Sequence, residues 1–493
     1  MALPSRIRDY EIWGLLGEGG MSEVWLAKHT VLAVPVIFKT IKAAAVGTAT
    51  VGEKLAQRVI EEARLMARIT DPRVVRAIDA GVHEGIPYMV QEYVDGIDLA
   101  ELDRRRRASL GVGLPLWFVC TAMRQACQAL YAAHQAGVIH RDMKPSNLFG
   151  SPATGVRLGD FGVAVGRETH TNEISGTLRF MSPEQLKNGE ATRRTDVWGA
   201  GATACDLRYG RPPYEHVSGV LDDVTPPTMP APKTSAEAYF QHLLRAMLSK
   251  DDRERPREMS DLARQFGIIA NAVESRRGGF VCVDRHTFRV GECTVTFRAG
   301  DIAEARADAI VCSANYQMKM RSGTGDAIRK KGGDVIEDEA RVRGEQPLGE
   351  CIATTAGTLA AKHVLHAVSA WNEASCIGRA TQRVLLVADE LGHRSLAVPA
   401  LGTGKERVTI ETCANAMMTA LKWHFALGGT RLRHIDVVIA DAHKLAVYLE
   451  VAEEALREPG ASRSGADLGL PAELGRTEVT GATFVDASKT GEH

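Results

Sequence analysis

The 493-residue sequence predicts a multi-domain chain in which an α+β unit is followed by an α/β unit. Its length exceeds what one ordinary hydrophobic core organises, so at least two cores are expected. From about Tyr10 to Gly267, strand-like runs (EIWGLLG, EVWLAKHT, VPVIFKTIK) come first and helical periodicity such as LWFVCTAMRQACQALYAAHQAG follows. That order describes a small sheet-rich lobe joined to a larger helical one. A polar passage at 274–279, ESRRGG, breaks the pattern, after which strands alternate with helices. CTVTFRAGDI, ADAIVCSAN, KHVLHAVSA, SLAVPALG and IDVVIAD read as strands. DAIRKKGGDVIEDEARVRG and segments near Arg379–Leu391 and Glu411–Ala426 read as helices, an alternation that argues for an α/β layered domain. The boundaries expected are an extension at 1–9, a first domain at 10–267, a linker at 268–279, a second domain at 280–456 and a tail at 457–493. The tail is rich in Gly, Ser, Pro and Thr and reads as flexible. Its threonines at 477, 480, 483 and 490 are expected to have no regulatory role.

Charge narrows the function classes. Lys plus Arg total 60 against 61 Asp plus Glu, a net charge of −1, so no global field draws the chain onto nucleic acid or an anionic membrane. Anion binding must be local. The nine cysteines show no CxxC pair and no zinc-like spacing, consistent with a reduced, cytoplasmic chain. MALPSRIRDYEIW lacks the apolar stretch of a signal peptide, and no run approaches the roughly 20 apolar residues that span a bilayer. No membrane segment and no nucleic-acid partner are expected. The four arginines at 104–107 are expected on a solvated helix face.

The first chemical constellation is GVIHRDMKPSNLF at 137–149, with Asp142, Lys144 two residues on and Asn147 five residues on. Phosphoryl transfer needs a carboxylate to orient the attacking hydroxyl and take its proton, a cation to offset γ-phosphate charge, and an amide oxygen to ligate magnesium. Thirteen residues past Asn147, Asp160 in LGDFG adds a second hard oxygen ligand. Upstream, LLGEGGMSEVWLA places Gly17, Gly19 and Gly20 between two strands, where backbone amides can close on phosphates. Lys39 lies on the next strand. In the following helix Leu55, Val59, Ala63 and Met66 mark a buried face with Glu62 beside it. An inward carboxylate wants a cation, and Lys39 is its natural partner, leaving the ammonium to hold the α- and β-phosphates.

Across roughly residues 10–267 this ordered set resembles the Hanks-type Ser/Thr protein kinases, particularly the bacterial branch. The resemblance implies a bilobal kinase fold, ATP with Mg2+ or Mn2+, and protein substrates with Ser/Thr acceptors. It implies catalytic roles for Asp142, Lys144, Lys39 and Glu62, with Asn147 and Asp160 as metal ligands. Val24 and Ile37 would roof the adenine, and backbone groups of Glu92 and Val94 would form the hinge behind Gln91. Gly176, Thr177 and SPE at 182–184 would close the activation segment, Asp196 would anchor the catalytic loop, and Arg255 would pair with Glu184. Two positions depart from the family pattern: Ser22 stands at the third loop glycine, and VIFK replaces VAIK, so Ile37 narrows the adenine pocket. No catalytic residue is missing, which rejects a pseudokinase. Arg141 suits a clamp on a phosphorylated activation loop, with Thr169, Thr171 and Ser175 as candidate sites.

The second constellation centres on VPALGTGKERV at 398–408. It is not a Walker loop, because Pro399 stands where the first glycine belongs and Glu406 follows the lysine. FRAGDIAEARADAIVCSAN sets Asp301 at a strand end and Asn315 after a second strand. Eight residues on, a glycine-containing turn, GTGDAIRKKGG, leads into a helix whose free amides suit phosphate. Two such loops, 323–325 and 402–404, could hold a diphosphate from opposite sides at the strand ends of an open sheet. Over about 280–456 the combination GDI, DAIV, SAN, GDAI and VPALGTG resembles the macrodomain family.

That resemblance implies a three-layer α/β/α fold that binds ADP-ribose or ADP-ribosylated proteins. Asp301 would accept from the adenine amino group with Ile302 nearby, and Asn315 would take the distal ribose. Gly323 and Gly325, with Gly402, Thr403 and Gly404, would hold the diphosphate. Cys312 replaces the first of two framing asparagines, Gly325 occupies an acidic position of hydrolytic members, Asp326 is one step out of register, and KERV replaces the usual residues after GTG. No water-activating group stands at its usual place, which favours a reader of ADP-ribose over an eraser. The expected function is a Ser/Thr kinase carrying an ADP-ribose-binding domain. The alternatives are a bifunctional kinase and ADP-ribosyl hydrolase, or an autophosphorylating adaptor recruiting partners through the second domain. The short linker motivates a coupling between the domains that ADP-ribose would reveal in kinase rate or ATP affinity.

Overall fold

The computed structural model describes residues 4–18, 22–42, 49–152, 154–161, 178–187, 189–222, 224–273, 279–371, 374–404 and 408–456. Gly19, Gly20, Thr169, Thr171, Ser175, Gly176, Thr177, the KER of the 398–408 loop and the tail threonines lie outside them.

In the first lobe β1 (Arg6–Ile7), β2 (Tyr10–Glu18), β3 (Ser22–His29), β4 (Val34–Ile41), β5 (Ala77–His83) and β6 (Ile86–Glu92) form one sheet in the order β1-β2-β3-β4-β6-β5. Its pairs are antiparallel, and β3 and β4 are rich in the branched and aromatic residues that fit a pleated, half-buried surface. Helix α1 (Ala49–Met66) lies between β4 and β5 and buries Leu55, Val59, Ala63 and Met66, the face its spacing predicts.

The second lobe starts with β7 (Ile97–Asp98) and α2 (Leu99–Leu110). Helix α3 (Leu116–Gln135) follows, its apolar positions buried nearly all round, as expected of a core helix. β8 (Leu148–Ser151) and β9 (Gly155–Leu158) form a hairpin joined by β7. Helices α4 (Pro183–Leu186), α5 (Arg193–Tyr209), α6 (Val217–Leu221), α7 (Ser235–Met247) and α8 (Met259–Val273) complete the lobe, with α8 packed along α3.

The second unit contains β10 (Val281–Asp284), β11 (Thr287–Val290), β12 (Cys293–Ala299) and β13 (Ala309–Ala314), then α9 (Gly323–Gly332) and α10 (Val335–Val342). β14 (Cys351–Thr355), β15 (His363–Val368), β16 (Ala370–Trp371) and β17 (Ala374–Ser375) precede α11 (Ile377–Glu390), β18 (Ser395–Pro399), α12 (Ile410–Leu427), β19 (His434–Ile439) and α13 (Ala442–Leu456). Eight strands form a mixed sheet in the order β10-β11-β12-β19-β18-β13-β15-β14, with helices between the parallel strands, the layered α/β architecture the alternation predicts. Two sequence expectations are corrected. The stretch 326–344 is two helices broken at Gly333, whose φ of 98° stops the first, and that first helix begins at Gly323 itself rather than after a turn.

The arginine run is also corrected. Of the four only Arg104 is exposed, because α2 is covered by the second unit at Arg105 and Arg106 and by the end of α5 at Arg107. Arg106 is 1% exposed and donates to the Leu427 and Gly428 carbonyls at the C-terminus of α12, at 3.1 and 2.8 Å. Arg105 bonds Glu101 and approaches Glu390 at 3.6 Å, and Arg383 of α11 returns to Glu101 at 2.8 Å. Apolar contacts follow the same seam: Leu386 and Leu427 join the core of the helical lobe, and Trp423 meets Phe118 edge-on at 5.2 Å. The two units therefore share a desolvated interface.

Candidate functional site

The first site lies between the two lobes. Buried Asp196, on α5, accepts from the backbone N–H of His140 at 2.9 Å and of Arg141 at 2.8 Å, and pairs with the His134 ring at 2.7 Å. These bonds hold Arg141 at a φ of 69°, a conformation few non-glycine residues adopt, and set the direction of Asp142. Asp142 Oδ2 takes the Lys144 ammonium at 2.8 Å. Asn147 donates Nδ2 to the Asp142 carbonyl at 2.7 Å and its carboxylate at 3.2 Å, which leaves the amide oxygen for a metal. Asp160, at a φ of 54°, follows β9, and its neighbour Phe161 packs on His140 at 4.5 Å. Asp160 Oδ1 meets Lys39 Nζ at 2.8 Å, so residues 121 positions apart close one ion pair.

The electrostatics agree with that pairing. Burial pulls the Lys39 ammonium down, but Asp160, then Glu62 and Asp142, outweigh it and hold the group above its ordinary value. For Asp160 burial pushes up while Lys39 and Lys144 pull down more strongly, keeping the carboxylate ionised. Glu62 is 7% exposed on the inner face of α1, as its spacing predicts. At the hinge the Glu92 carboxylate is held by Arg157 at 2.5 Å and by the Arg76 N–H at 2.7 Å, fixing the strand end from which Val94 follows. Val24 and Ile37 are partly buried on β3 and β4, and a Cβ at Gly17 would meet nothing within 4 Å, leaving open space beside the loop. Behind the site Arg255 grips Glu184 with two bonds of 2.8 and 2.9 Å, as expected.

One acid side chain and one amide oxygen beside a cationic clamp match what magnesium asks of a protein, which supplies few ligands and leaves the remainder to phosphate oxygens and water. The donor set therefore fits the ion.

The second candidate site lies at the carboxyl ends of β12, β19, β18 and β13. Among the described residues β13 pairs with β18 at Ala309↔Leu396 and Ile310↔Ala397, and beyond these pairs the two strand ends lead into separate loops. Asp301 caps the 3-10 turn Ile302–Glu304 through a 2.9 Å bond from the Ala303 N–H, and Ile302 is buried below it. The two glycine loops meet β13 from its opposite faces. Gly325 lies on the Cys312 side, 3.6 Å separating that sulfur from a built Cβ, and the Gly402 N–H donates to Ser313 Oγ at 3.2 Å. The side chain of Ser322 makes no cap at the start of α9, leaving the first-turn amides of 323–325 without that competitor. Gly323 and Gly402 have φ of 55° and 72°, a need only glycine meets without strain. The Thr403 hydroxyl bonds the Ala400 carbonyl at 3.2 Å, and a Cβ at Gly404 would meet open space. Asn315 turns its amide onto Lys319, a geometry the sequence does not reveal.

The departures noted in sequence have physical content. Burial pushes the Cys312 thiol up to about 12, so it is no nucleophile. A side chain at position 325 would sit 3.2 Å from the Met320 Cα, and Asp326 is engaged by Arg329 at 2.8 Å and Lys330 at 2.7 Å. Sequence reasoning passed over the Ser313 and Ser369 hydroxyls, 3.0 Å apart, one near the end of β13 and the other just past β15, because a serine there carries no periodic signal.

This geometry is that of a protein kinase cleft followed by a layered α/β domain. The chain matches the protein kinase domain family over residues 10–266, more than half of its length, and belongs to that family. Residues 311–417 match the Macro domain family. Among curated proteins, the probable serine/threonine-protein kinase PknB of Corynebacterium glutamicum is 31% identical over 285 residues, covering 54% of this chain and 43% of that protein. Serine/threonine-protein kinase PknB of Mycobacterium tuberculosis is 34% identical over 225 residues, 43% of this chain and 34% of that protein. The chain thus spans less than half the length of these relatives. The crystal structure of the Mycobacterium tuberculosis PknI kinase domain covers 55% of this chain and all of that one, at 24% identity and a TM-score of 0.45. No helix among the described residues is long and apolar enough to cross a membrane.

Proposed function

We propose that the protein is an ATP-dependent Ser/Thr protein kinase whose second domain binds ADP-ribose or ADP-ribosylated protein. The observation that carries the kinase reading is the convergence of Asp142, Lys144, Asn147, Asp160 and Lys39 into one bonded cluster, its two halves joined by the Asn147 amide donating to the Asp160 carbonyl at 3.4 Å. Asp142 orients the acceptor hydroxyl and accepts its proton as the oxygen bonds to the γ-phosphorus and the bond to the β-phosphate oxygen breaks, releasing ADP. Lys144 offsets charge on the phosphoryl in flight, while Lys39, kept charged by Asp160 and Glu62, holds the α- and β-phosphates. Asn147 and Asp160 would hold magnesium, which would neutralise the phosphate charge.

For the second domain the two glycine loops at the strand ends support a reader. Asp301 would take the adenine amino group, the amides of 323–325 and 402–404 the diphosphate, and Asn315 the distal ribose. Hydrolysis would need a base to activate water, and the three candidates are a buried neutral thiol, a glycine and an ion-paired Asp326.

The test uses the full chain. With MgATP and an added protein acceptor, Asp142→Asn is expected to lower phosphate transfer by about 10²–10⁴-fold, and undiminished transfer would sink the kinase assignment. Titrated with ADP-ribose by calorimetry, the wild type is expected to bind saturably and Asp301→Ala to lose at least tenfold in affinity. Release of ADP-ribose from a modified protein at enzyme-like turnover would replace the reader with an eraser.

A further inference from the structure

The two candidate sites share a wall. Met318, Leu348 and Val368 of the second unit belong to one buried apolar cluster with Trp13 and Leu26 of the first lobe's sheet. Packed against that cluster are Leu16, next to the phosphate loop, Ile37, the adenine roof, and Tyr93, between the two hinge residues. Apolar faces that would receive a purine are thus continuous with a loop of the second domain.

That loop is 315–320, and it is held shut by the residue assigned to the distal ribose. Asn315 donates Nδ2 to the Lys319 carbonyl at 3.0 Å and accepts the Lys319 N–H at 3.2 Å, and its own carbonyl takes the Met318 N–H at 3.0 Å. The closed turn holds Met318 at a φ of 56°, uncommon for a bulky side chain, with only 1% of the residue exposed. Strain of that kind persists where the surroundings over-determine it, and here the surroundings include the kinase lobe. A ribose engaging the Asn315 amide must displace Lys319 and so loosen the turn that seats Met318.

A second connection runs through α11. Cys376, its N-cap residue, makes no side-chain cap, and the capping oxygens come instead from Asp95, directly after Val94 of the hinge. Asp95 accepts from the Gly378 N–H at 3.2 Å and the Arg379 N–H at 2.9 Å. From Cys376 a backbone bond reaches Ser369, whose hydroxyl meets Ser313, which in turn receives the Gly402 amide.

Resting on the reader assignment, we propose that the second domain is an autoinhibitory module: the Met318 turn docked on the adenine roof disfavours ATP, and ADP-ribose, by taking Asn315, relieves it. Two states of one loop are then biased from both sites, and the coupling is reciprocal.

The experiment measures affinity of the full chain for a non-hydrolysable ATP analogue with magnesium, without and with saturating ADP-ribose. Relief predicts an affinity gain of about 5–100-fold, the range of ordinary allosteric coupling. The analogue should raise ADP-ribose affinity by the same factor, a readout that needs no variant. Asp301→Ala should abolish the gain. Met318→Gly, in which glycine accepts the left-handed backbone and removes the docked side chain, should bind the analogue tightly without ADP-ribose. Weakened analogue binding that survives Asp301→Ala would show ADP-ribose competing in the kinase cleft and overturn the proposal. Saturable ADP-ribose binding with unchanged analogue affinity would overturn the coupling while leaving the reader intact. Absence of ADP-ribose binding would overturn both.

Discussion

His366, fully buried on β15, bonds the Thr354 hydroxyl at 2.9 Å, and burial lowers its pKa to about 4 despite the field of Glu339. Its folded value lies below its unfolded one, so the neutral ring contributes stability that is complete above about pH 6.5 and is lost as pH falls toward 4. Between pH 7.5 and 5 the loss is about 2 kcal/mol. Urea midpoints of wild type and His366→Gln, compared at the two pH values, should show the variant losing less on acidification, and parallel losses would refute the assignment. At this scale the sequence was legible where motifs single out a residue type: Asp142, Asn147, Asp160 and Lys39 come together in one place, with Asp160 an ion partner of Lys39 that the sequence reading did not name. It was silent on His366 and on the Ser313–Ser369 pair, since nothing in their neighbourhoods distinguishes a buried polar group from a solvated one.

Elements followed their periodicities when one face was clearly apolar. Helix α1 buries the side its spacing marks, and the strands of the second unit's inner sheet appear where unbroken apolar runs stand. Local readings failed where a neighbouring element intervened. The run at 104–107 has the composition of a solvated surface, and only the arrival of α11 and α12 converts it to an interface: guanidinium groups tolerate burial when carboxylates and helix-terminal carbonyls receive them. Gly323 reads as part of a turn because glycine is a poor helix former, yet an uncapped helix end at a candidate phosphate site favours residues that leave the amides accessible.

For the molecule as a whole the seam between the units decides more than the linker does. Arg106 satisfies two carbonyls at the end of α12, and replacing it by leucine leaves those acceptors buried without their donor. Arg106→Leu is expected to lower stability by about 1–3 kcal/mol. A lower denaturant midpoint for the unit containing α12 would show it, and an unchanged midpoint would mean the contacts contribute nothing net. The same variant bears on regulation, because a loosened seam also loosens the Met318 turn against the kinase lobe. By itself the sequence pointed to the two candidate chemistries, the order of the domains and most elements, because glycine loops, motif carboxylates and amphipathic faces follow local rules. Only the tertiary structure decided that the two candidate sites adjoin, that Arg105 and Arg106 lie in a joint, and that Asn315 closes on its own loop, because each depends on groups competing for one desolvated space.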